Sequence, residues 1–380
     1  MRGRVVVVGA GIVGLATALR LRDDSWAVTV IDASQPASGA SAAALGSLTP
    51  YSDHGSLPET RALAESSLAM YSGWLDRLSI TAGQPIDFDP CGLVECAIGD
   101  EEAPSLRSTF EALRESGAPV DWLSPKDVLA LEPRVTKDVS AGLFYRTEAM
   151  VDVSQLLAAC IQAARIRGCT IVSNLRVTRI LESHGRVCGV DTPLGPVPAD
   201  HVVLAAGSRL DTISCGATVS IQRIRGEVLE VRSSPGLVGR HLYSGSGFLR
   251  PLRDGRIYLG SNYDVHGADD DECPTTVSAH SAARTLDANI RIVPALAESQ
   301  LVRSWKGWRP RTIDGQPLIG RCSVPGVVVA GGFFGLGITL APAVAEEIAA
   351  LISDDKYKAS PVFAPDRFEG SQGFSTASDG

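Results

Sequence analysis

The chain has 380 residues, 44% of them hydrophobic and 21% charged, which is typical of a globular protein of about two domains and excludes a wholly disordered chain. Its formal net charge is −8, from 43 acidic and 35 basic residues. Because a nucleic acid needs a basic surface, this balance argues against a nucleic-acid partner.

A dinucleotide-binding pattern lies at the start of the chain. Residues 5–8 are consecutive valines, typical of a buried parallel strand, and a GxGxxG motif follows at 9–14. A helical pattern then runs to about residue 22, and residues 28–31 form a second strand that ends at Asp32. Strand, motif, helix, strand and acid in this order predict a dinucleotide site.

Each part of the motif has a physical role. Gly9 allows the tight turn, Gly11 lets the backbone approach a pyrophosphate, and Gly14 lets the helix pack closely on the strand. The helix N-terminus offers free N–H groups to the phosphates. Asp32 would accept hydrogen bonds from the ribose and repel a 2′-phosphate, which argues against NADP. The motif alone does not choose between NAD and FAD.

A run of small residues follows the second strand. Residues 39–48 read GASAAALGSL, where an NAD domain would place a helix with ordinary side chains. Such a run favours close approach of a flat, bulky group. The alternative is a small-residue helix packed against its neighbour.

Nucleotide-type strands recur later in the chain. We expect strands at 174–181, with Val177 central, and at 202–207, and a strand at 327–330 that leads through glycines into a helix. The stretches between them should form an inserted second domain. Residues 322–345 carry no charge, but their glycines and prolines predict strand, turn and helix rather than a membrane span.

The spacing of the cysteines and histidines gives predictions about disulfides and metal binding. The eight cysteines form no CxxC pair and the six histidines show no metal-ligand spacing, which predicts free thiols and no metal site. Residues 1–19 resemble a signal peptide, but cleavage there would destroy the glycine motif. We therefore predict a cytoplasmic protein; whether it forms a homo-oligomer stays open.

Further segments point to one family. Gly307-Trp308-Arg309-Pro310 and residues 312–320 resemble the GxRPxTPDGxPxIG block of the FAD-dependent amino acid oxidase superfamily, and residues 332–342 resemble its flavin-contacting turn. Residues 363–368 resemble its closing segment. This superfamily includes D-amino acid oxidase, glycine oxidase and monomeric sarcosine oxidase, and the motif pattern is most similar to that of glycine oxidase.

The resemblance implies an α/β fold (α+β overall) of two interleaved domains. A Rossmann-like FAD-binding domain would be interleaved with a smaller substrate-binding domain built on an antiparallel β-sheet. The first would take residues 1–85, 150–217 and 305–352, the second residues 86–149 and 218–304, and a tail residues 353–380.

The resemblance also implies non-covalent FAD, since this chain has Gly307 near the position where sarcosine oxidase attaches its flavin to a cysteine. The residues that we expect to contact FAD lie in the glycine motif, the small-residue run, the later strands and the last turn. They are Gly9, Gly11, Ile12, Val13, Gly14, Asp32, Ala33, Ser41, Ala43, Ala44, Gly46, Ser47, Val177, Ala205, Ala206, Gly207, Gly332, Gly335, Leu336, Gly337, Ile338 and Thr339.

A carboxylate substrate needs an oriented cation, and a guanidinium supplies two parallel bonds. The resemblance assigns this role to Arg309; the alternative is a structural pair with Asp314. Arg250, two residues after Phe248, would add a second cation or face the surface.

Other positions depart from the family. Glycine oxidase has an arginine where this chain has Gly335 and a tyrosine where it has Phe248. The arginine and lysine of sarcosine oxidase correspond here to Gly46 and Thr339. Phe248, with Phe334 and Tyr51, could form an apolar wall for a substrate bulkier than glycine, or belong to the core.

The resulting hypothesis is an FAD-dependent enzyme that oxidises the C–N bond of an amino acid or secondary amine by hydride transfer to flavin N5. The imine would hydrolyse, and O2 would be the acceptor, giving H2O2. The alternatives are a dehydrogenase that passes electrons to a carrier, an NAD-dependent dehydrogenase, an RNA-modifying flavoprotein and a non-catalytic FAD-binding protein.

Overall fold

The computed structural model describes residues 2–53, 57–214, 219–245, 247–261 and 276–368. Cys215, Cys273 and residues 369–380 of the predicted tail lie outside these ranges. Within them the helices are α1 Ile12–Asp23, α2 Ala40–Ala43, α3 Pro58–Ala82, α4 Ala103–Glu115, α5 Pro125–Leu131, α6 Val153–Ile166, α7 Ala279–Ile292 and α8 Gly337–Ser353.

The strands run through the chain between these helices. The first ten are β1 Arg4–Val8, β2 Ala27–Ile31, β3 Ser47–Leu48, β4 Phe88–Asp89, β5 Leu93–Ile98, β6 Val120–Leu123, β7 Val139–Tyr145, β8 Ala149–Val151, β9 Thr170–Val172 and β10 Arg179–Ser183. The others are β11 Arg186–Asp191, β12 Val197–Pro198, β13 His201–Leu204, β14 Gln222–Arg232, β15 His241–Ser244, β16 Gly247–Pro251, β17 Arg256–Ser261, β18 Gln300–Arg311, β19 Leu318–Arg321 and β20 Val327–Gly331.

A six-stranded sheet in the order β19-β20-β13-β1-β2-β9 carries the glycine motif. Its strands are parallel except for β19, and β1 lies between β13 and β2. Val5 and Val7 of β1 face a core formed with α1, α3, α6 and α8, whereas Val6 and Val8 face the other core. The continuous valine run is therefore buried on both faces, as its composition predicts.

A second, eight-stranded sheet has the order β18-β14-β17-β16-β15-β5-β7-β6. Its pairs are antiparallel except for β15 with β5, so the expected antiparallel sheet is in fact mixed. The expected α/β fold is confirmed. Two further sheets among the described residues, β10-β11-β12 and β3-β8-β4, have three strands each.

Two strand boundaries differ from expectation. The strand expected at 174–181 starts only at Arg179. Asn174, at the expected start, has a left-handed backbone with φ 55°, which is not a strand conformation. Val177 is nevertheless buried in the core. The strand β18 continues to Arg311, so the expected domain boundary at residue 305 lies inside a strand of the eight-stranded sheet. The division into two domains remains a prediction.

The last part of the chain folds as its glycines and prolines predict. The uncharged stretch forms β20, a glycine turn and α8. Among the residues that the structure describes, no helix combines the length and apolar character needed to cross a bilayer.

The substitution Gly14→Ala tests the contact between β1 and α1. A Cβ at Gly14 would lie 2.0 Å from the carbonyl oxygen of Gly9, so the helix must move. We expect a loss of about 1–3 kcal/mol in the free energy of unfolding, measured by denaturant titration. Gly73→Ala, at an exposed position inside α3, is the control and should leave stability unchanged or raise it. Equal losses in both variants would contradict this account.

Candidate active site

A cavity of about 740 Å³ lies where the two sheets meet. On one side are the carboxyl ends of β1 and β2, and on the other the strands β14, β15, β16 and β18. Open α/β sheets bind ligands beyond the carboxyl ends of their strands, and this volume is that of a typical ligand site.

The glycine motif shapes one end of this cavity. Gly9 has φ 107°, and a Cβ there would lie 2.3 Å from the carbonyl oxygen of Ala205, so only glycine fits. Gly11 lines the cavity as the residue before α1, and its nearest neighbour for a Cβ is Ser41 Oγ at 3.2 Å. The N–H of Ile12 donates to that hydroxyl at 3.0 Å. The backbone therefore forms a cradle with a helix N-terminus at its floor.

Asp32 lies at the end of β2 in the same cavity wall. Its carboxylate accepts hydrogen bonds from the N–H groups of Ala10, at 2.7 Å, and Ser34, at 2.8 Å. It thus fixes the glycine turn and also faces the ligand space. A cradle of glycines, a helix N-terminus and an acid at the next strand fit the adenosine and pyrophosphate parts of FAD.

The turn between β20 and α8 forms another part of the wall. A Cβ at Gly332 would lie 2.5 Å from Thr312 Cγ2, and Phe334 has φ 46°, an uncommon value for a residue with a side chain. The N–H of Phe334 donates to Pro310 O at 2.7 Å, which fixes the turn against β18. Gly337 and Ile338 place the N-terminus of α8 at the cavity.

Arg309 lies on β18 and lines the cavity. Its guanidinium packs over Gly226 of β14, where a Cβ would lie 2.4 Å from Nη1. Nη1 also donates to Arg225 O at 3.4 Å. Asp314, the alternative partner expected from the sequence, is bound instead by Arg367, at 2.8 and 3.1 Å. Arg309 is therefore held flat on the sheet beside the ligand space.

Two residues expected in the site lie elsewhere. Arg250 neither lines the large cavity nor faces the surface: it is 4% exposed, borders a second cavity of about 250 Å³, and donates to Val151 O at 2.7 Å. Tyr51 packs against a separate hydrophobic cluster, while the following Ser52 and Asp53 reach the cavity. Arg250 lies on the same face of the sheet as Phe248, as the alternation predicts. Its guanidinium donates to Val151 O, however, and does not line the large cavity.

The other expected residues are distributed between the cavity wall and the layer behind it. Those in the wall are Gly9, Gly11, Ile12, Val13, Asp32, Ala33, Ser41, Ala43, Ala44, Gly46, Ser47, Val177, Ala205, Ala206, Gly207, Phe248, Arg309, Phe334, Gly335, Gly337 and Ile338. Those outside it are Gly14, Gly332, Leu336 and Thr339. Thr339 instead joins α8 to the segment around β3, accepting from the Thr49 N–H at 3.4 Å.

Sequence reasoning missed several wall residues. Arg311, two positions after Arg309, lies 5.7 Å from the ring centre of Phe334, and Asp53, His241 and Tyr243 also reach the cavity. The period of two along β18 could have indicated Arg311 from Arg309. Nothing in the sequence separates Asp53 or His241 from ordinary polar residues.

Glu148 supports the cavity from behind. Its buried carboxylate accepts from the N–H groups of Tyr51, at 3.1 Å, and Ser52, at 2.7 Å, and from the Ser52 hydroxyl at 2.8 Å. These bonds fix the turn that brings Asp53 to the wall. Burial raises the pKa of Glu148 to about 8, although the three donors act in the opposite direction.

A family profile described as "FAD dependent oxidoreductase" matches residues 4–351. The chain belongs to this family. The expected FAD cofactor is thereby confirmed, and the NAD alternative is set aside. Gly307 fits a non-covalent cofactor, since it lines the cavity without a side chain.

Individual relatives agree with the family. The chain is 30% identical over 374 residues to the bifunctional protein ThiO/ThiG of Synechocystis, covering 96% of this chain and 54% of that protein, so it spans about half the length of this relative. It is 29% identical to a glycine oxidase of Geobacillus kaustophilus, with 92% of each covered. The crystal structure of glycine oxidase from that organism superposes with a TM-score of 0.89 at 27% identity, covering 96% of this chain and 99% of that one.

The substitution Glu148→Gln tests the buried carboxylate through pH. The pKa of Glu148 is raised in the folded protein, so its contribution to stability is fully present below about pH 4.5 and is lost as the pH rises to about 8. The wild-type protein should lose this stability as the pH rises, whereas the variant with the neutral glutamine should not. We expect the melting temperature of the variant, relative to wild type, to rise between pH 5 and pH 9. A difference that is constant across this range would contradict the assignment.

Proposed function

We propose that the protein oxidises the C–N bond of an amino acid or N-substituted amino acid whose carboxylate is bound by Arg309. The observation that carries this proposal is the position of the Arg309 guanidinium. It packs over Gly226 in the wall of a cavity that fits FAD. The names of the similar glycine oxidases support the substrate class.

The protein's own residues orient the substrate. Arg309 can form two parallel hydrogen bonds with a carboxylate, which fix its direction as well as its position. Phe248 and Phe334 line the same cavity and would give it apolar surface that favours a substituent larger than hydrogen. Bound FAD supplies the acceptor for a hydride from that carbon.

The N-terminus of α8 adds an electrostatic contribution to the same cavity. The helix begins at Gly337 in the cavity wall, so its positive dipole end is directed at the ligand space. A positive end there stabilises negative charge that develops during hydride transfer. No side-chain acid or base is assigned, because an amine that binds in its neutral form needs none.

O2 is the acceptor that we propose, with H2O2 and an imine that hydrolyses in water as products. The names of the similar oxidases support this choice over an electron carrier. We also propose a cytoplasmic location. Cys91, Cys96, Cys160, Cys169, Cys188 and Cys322 are free thiols, as expected in a reducing compartment.

The substitution Arg309→Ala tests the carboxylate role. We expect bound FAD to be retained and KM for a carboxylate substrate to rise about tenfold or more, since a charge-assisted pair contributes roughly 1.5–3 kcal/mol. Steady-state kinetics and the flavin spectrum provide the two readouts. Lys306→Met removes a cation from the same strand outside the cavity wall and is the control. An unchanged KM in Arg309→Ala would refute the role.

A further inference from the structure

A second guanidinium borders the large cavity at the end of β18. Arg311 lies two residues after Arg309, so both side chains leave the same face of the strand, from Cα atoms roughly 6–7 Å apart. Arg309 packs over Gly226, and Arg311 likewise lies over a glycine, because a Cβ at Gly315 would be 3.3 Å from its Nη2. Two glycines thus leave room for two cations in one cavity wall.

The guanidinium of Arg311 has donors but no acceptor. In the part of the chain that the structure describes, it forms no ion pair and donates no hydrogen bond; it contacts the ring of Phe334, at 5.7 Å from the ring centre. Of the nearby acids, Asp314 is bound by Arg367, and Asp53 forms no ion pair with Arg311. The side chain is half-buried and none of its nitrogens is fully enclosed, so a ligand can reach them.

These surroundings define the chemistry of a ligand at Arg311. A guanidinium offers a planar fork of N–H donors that matches a carboxylate. The ring of Phe334 lies beside it in the same wall, which therefore changes from apolar to cationic over a short distance. A group with a methylene stem and an anionic end fits such a wall.

We propose that Arg311 forms a second anion subsite, so that the preferred substrate is an amino acid with two carboxylates. The second carboxylate would be on the side chain or on the nitrogen substituent. Arg309 holds the carboxylate next to the reacting carbon, Phe334 contacts the methylenes, and Arg311 binds the far carboxylate. This inference rests on the proposed function, because the first carboxylate must be held at Arg309. Position 311 is variable in the GxRPxTPDGxPxIG block, so the family pattern assigns no role to it.

Dicarboxylates and their neutral isosteres test the subsite in the FAD-bound wild-type protein. Malonate, succinate, glutarate and adipate would be titrated against the flavin absorbance at neutral pH, each beside the monoamide in which a carboxamide replaces one carboxylate. We expect a chain length at which the dicarboxylate binds about tenfold more tightly than its monoamide, the size of one charge-assisted hydrogen bond. This comparison does not depend on any variant folding.

Variants at Arg311 then assign the preference to this side chain. Arg311→Met, which keeps an unbranched stem without the charge, should abolish the preference and leave the Kd of butanoate unchanged. Arg311→Lys, which keeps a point charge without the planar fork, should retain part of the preference. Lys306→Met removes a cation of β18 outside the cavity wall and should retain all of it.

The outcomes separate this inference from the proposal on which it rests. Equal affinity for dicarboxylates and monoamides at every length would overturn the subsite and leave the role of Arg309 intact. A preference that persists undiminished in Arg311→Met would also overturn it, since another cation would then bind the second carboxylate. If no carboxylate perturbs the flavin, both proposals are overturned.

Discussion

The close approach of backbone to backbone around the first strand is the constraint on which the rest depends. Gly9 passes the carbonyl of Ala205, and Gly14 lies on the carbonyl of Gly9, at distances that leave no space for a Cβ. These contacts hold α1 against β1 and direct its N-terminus at the large cavity. The glycine cradle and the helix end at the cavity are therefore a consequence of how the central strands pack.

The second sheet completes the site from the opposite side. β18 places Arg309 on the space left by Gly226, and the turn before α8 is fixed to the same strand by the Phe334–Pro310 hydrogen bond. Arg309 and the N-terminal end of α8 are thus positioned by one strand. The Glu148 carboxyl group does the same for the turn that carries Asp53, and its burial favours the neutral form.

The sequence predicted those parts that depend on local pattern. The valine run, the glycine spacing and Asp32 define the first βαβ unit. The glycine turn between β20 and α8 was also predicted from its composition. Tertiary placement was less accessible: the alternation that links Phe248 to Arg250 is correct, yet the carbonyl of Val151 holds Arg250 away from the cavity.

The most direct test of the account is the visible spectrum of the purified protein under anaerobic conditions, before and after addition of amino acids and N-substituted amino acids. The account predicts a bound flavin whose absorbance is bleached by at least one carboxylate-bearing amine, with the same amine lacking its carboxylate ineffective. A flavin that no such compound reduces, or a protein that cannot be loaded with FAD, would contradict it.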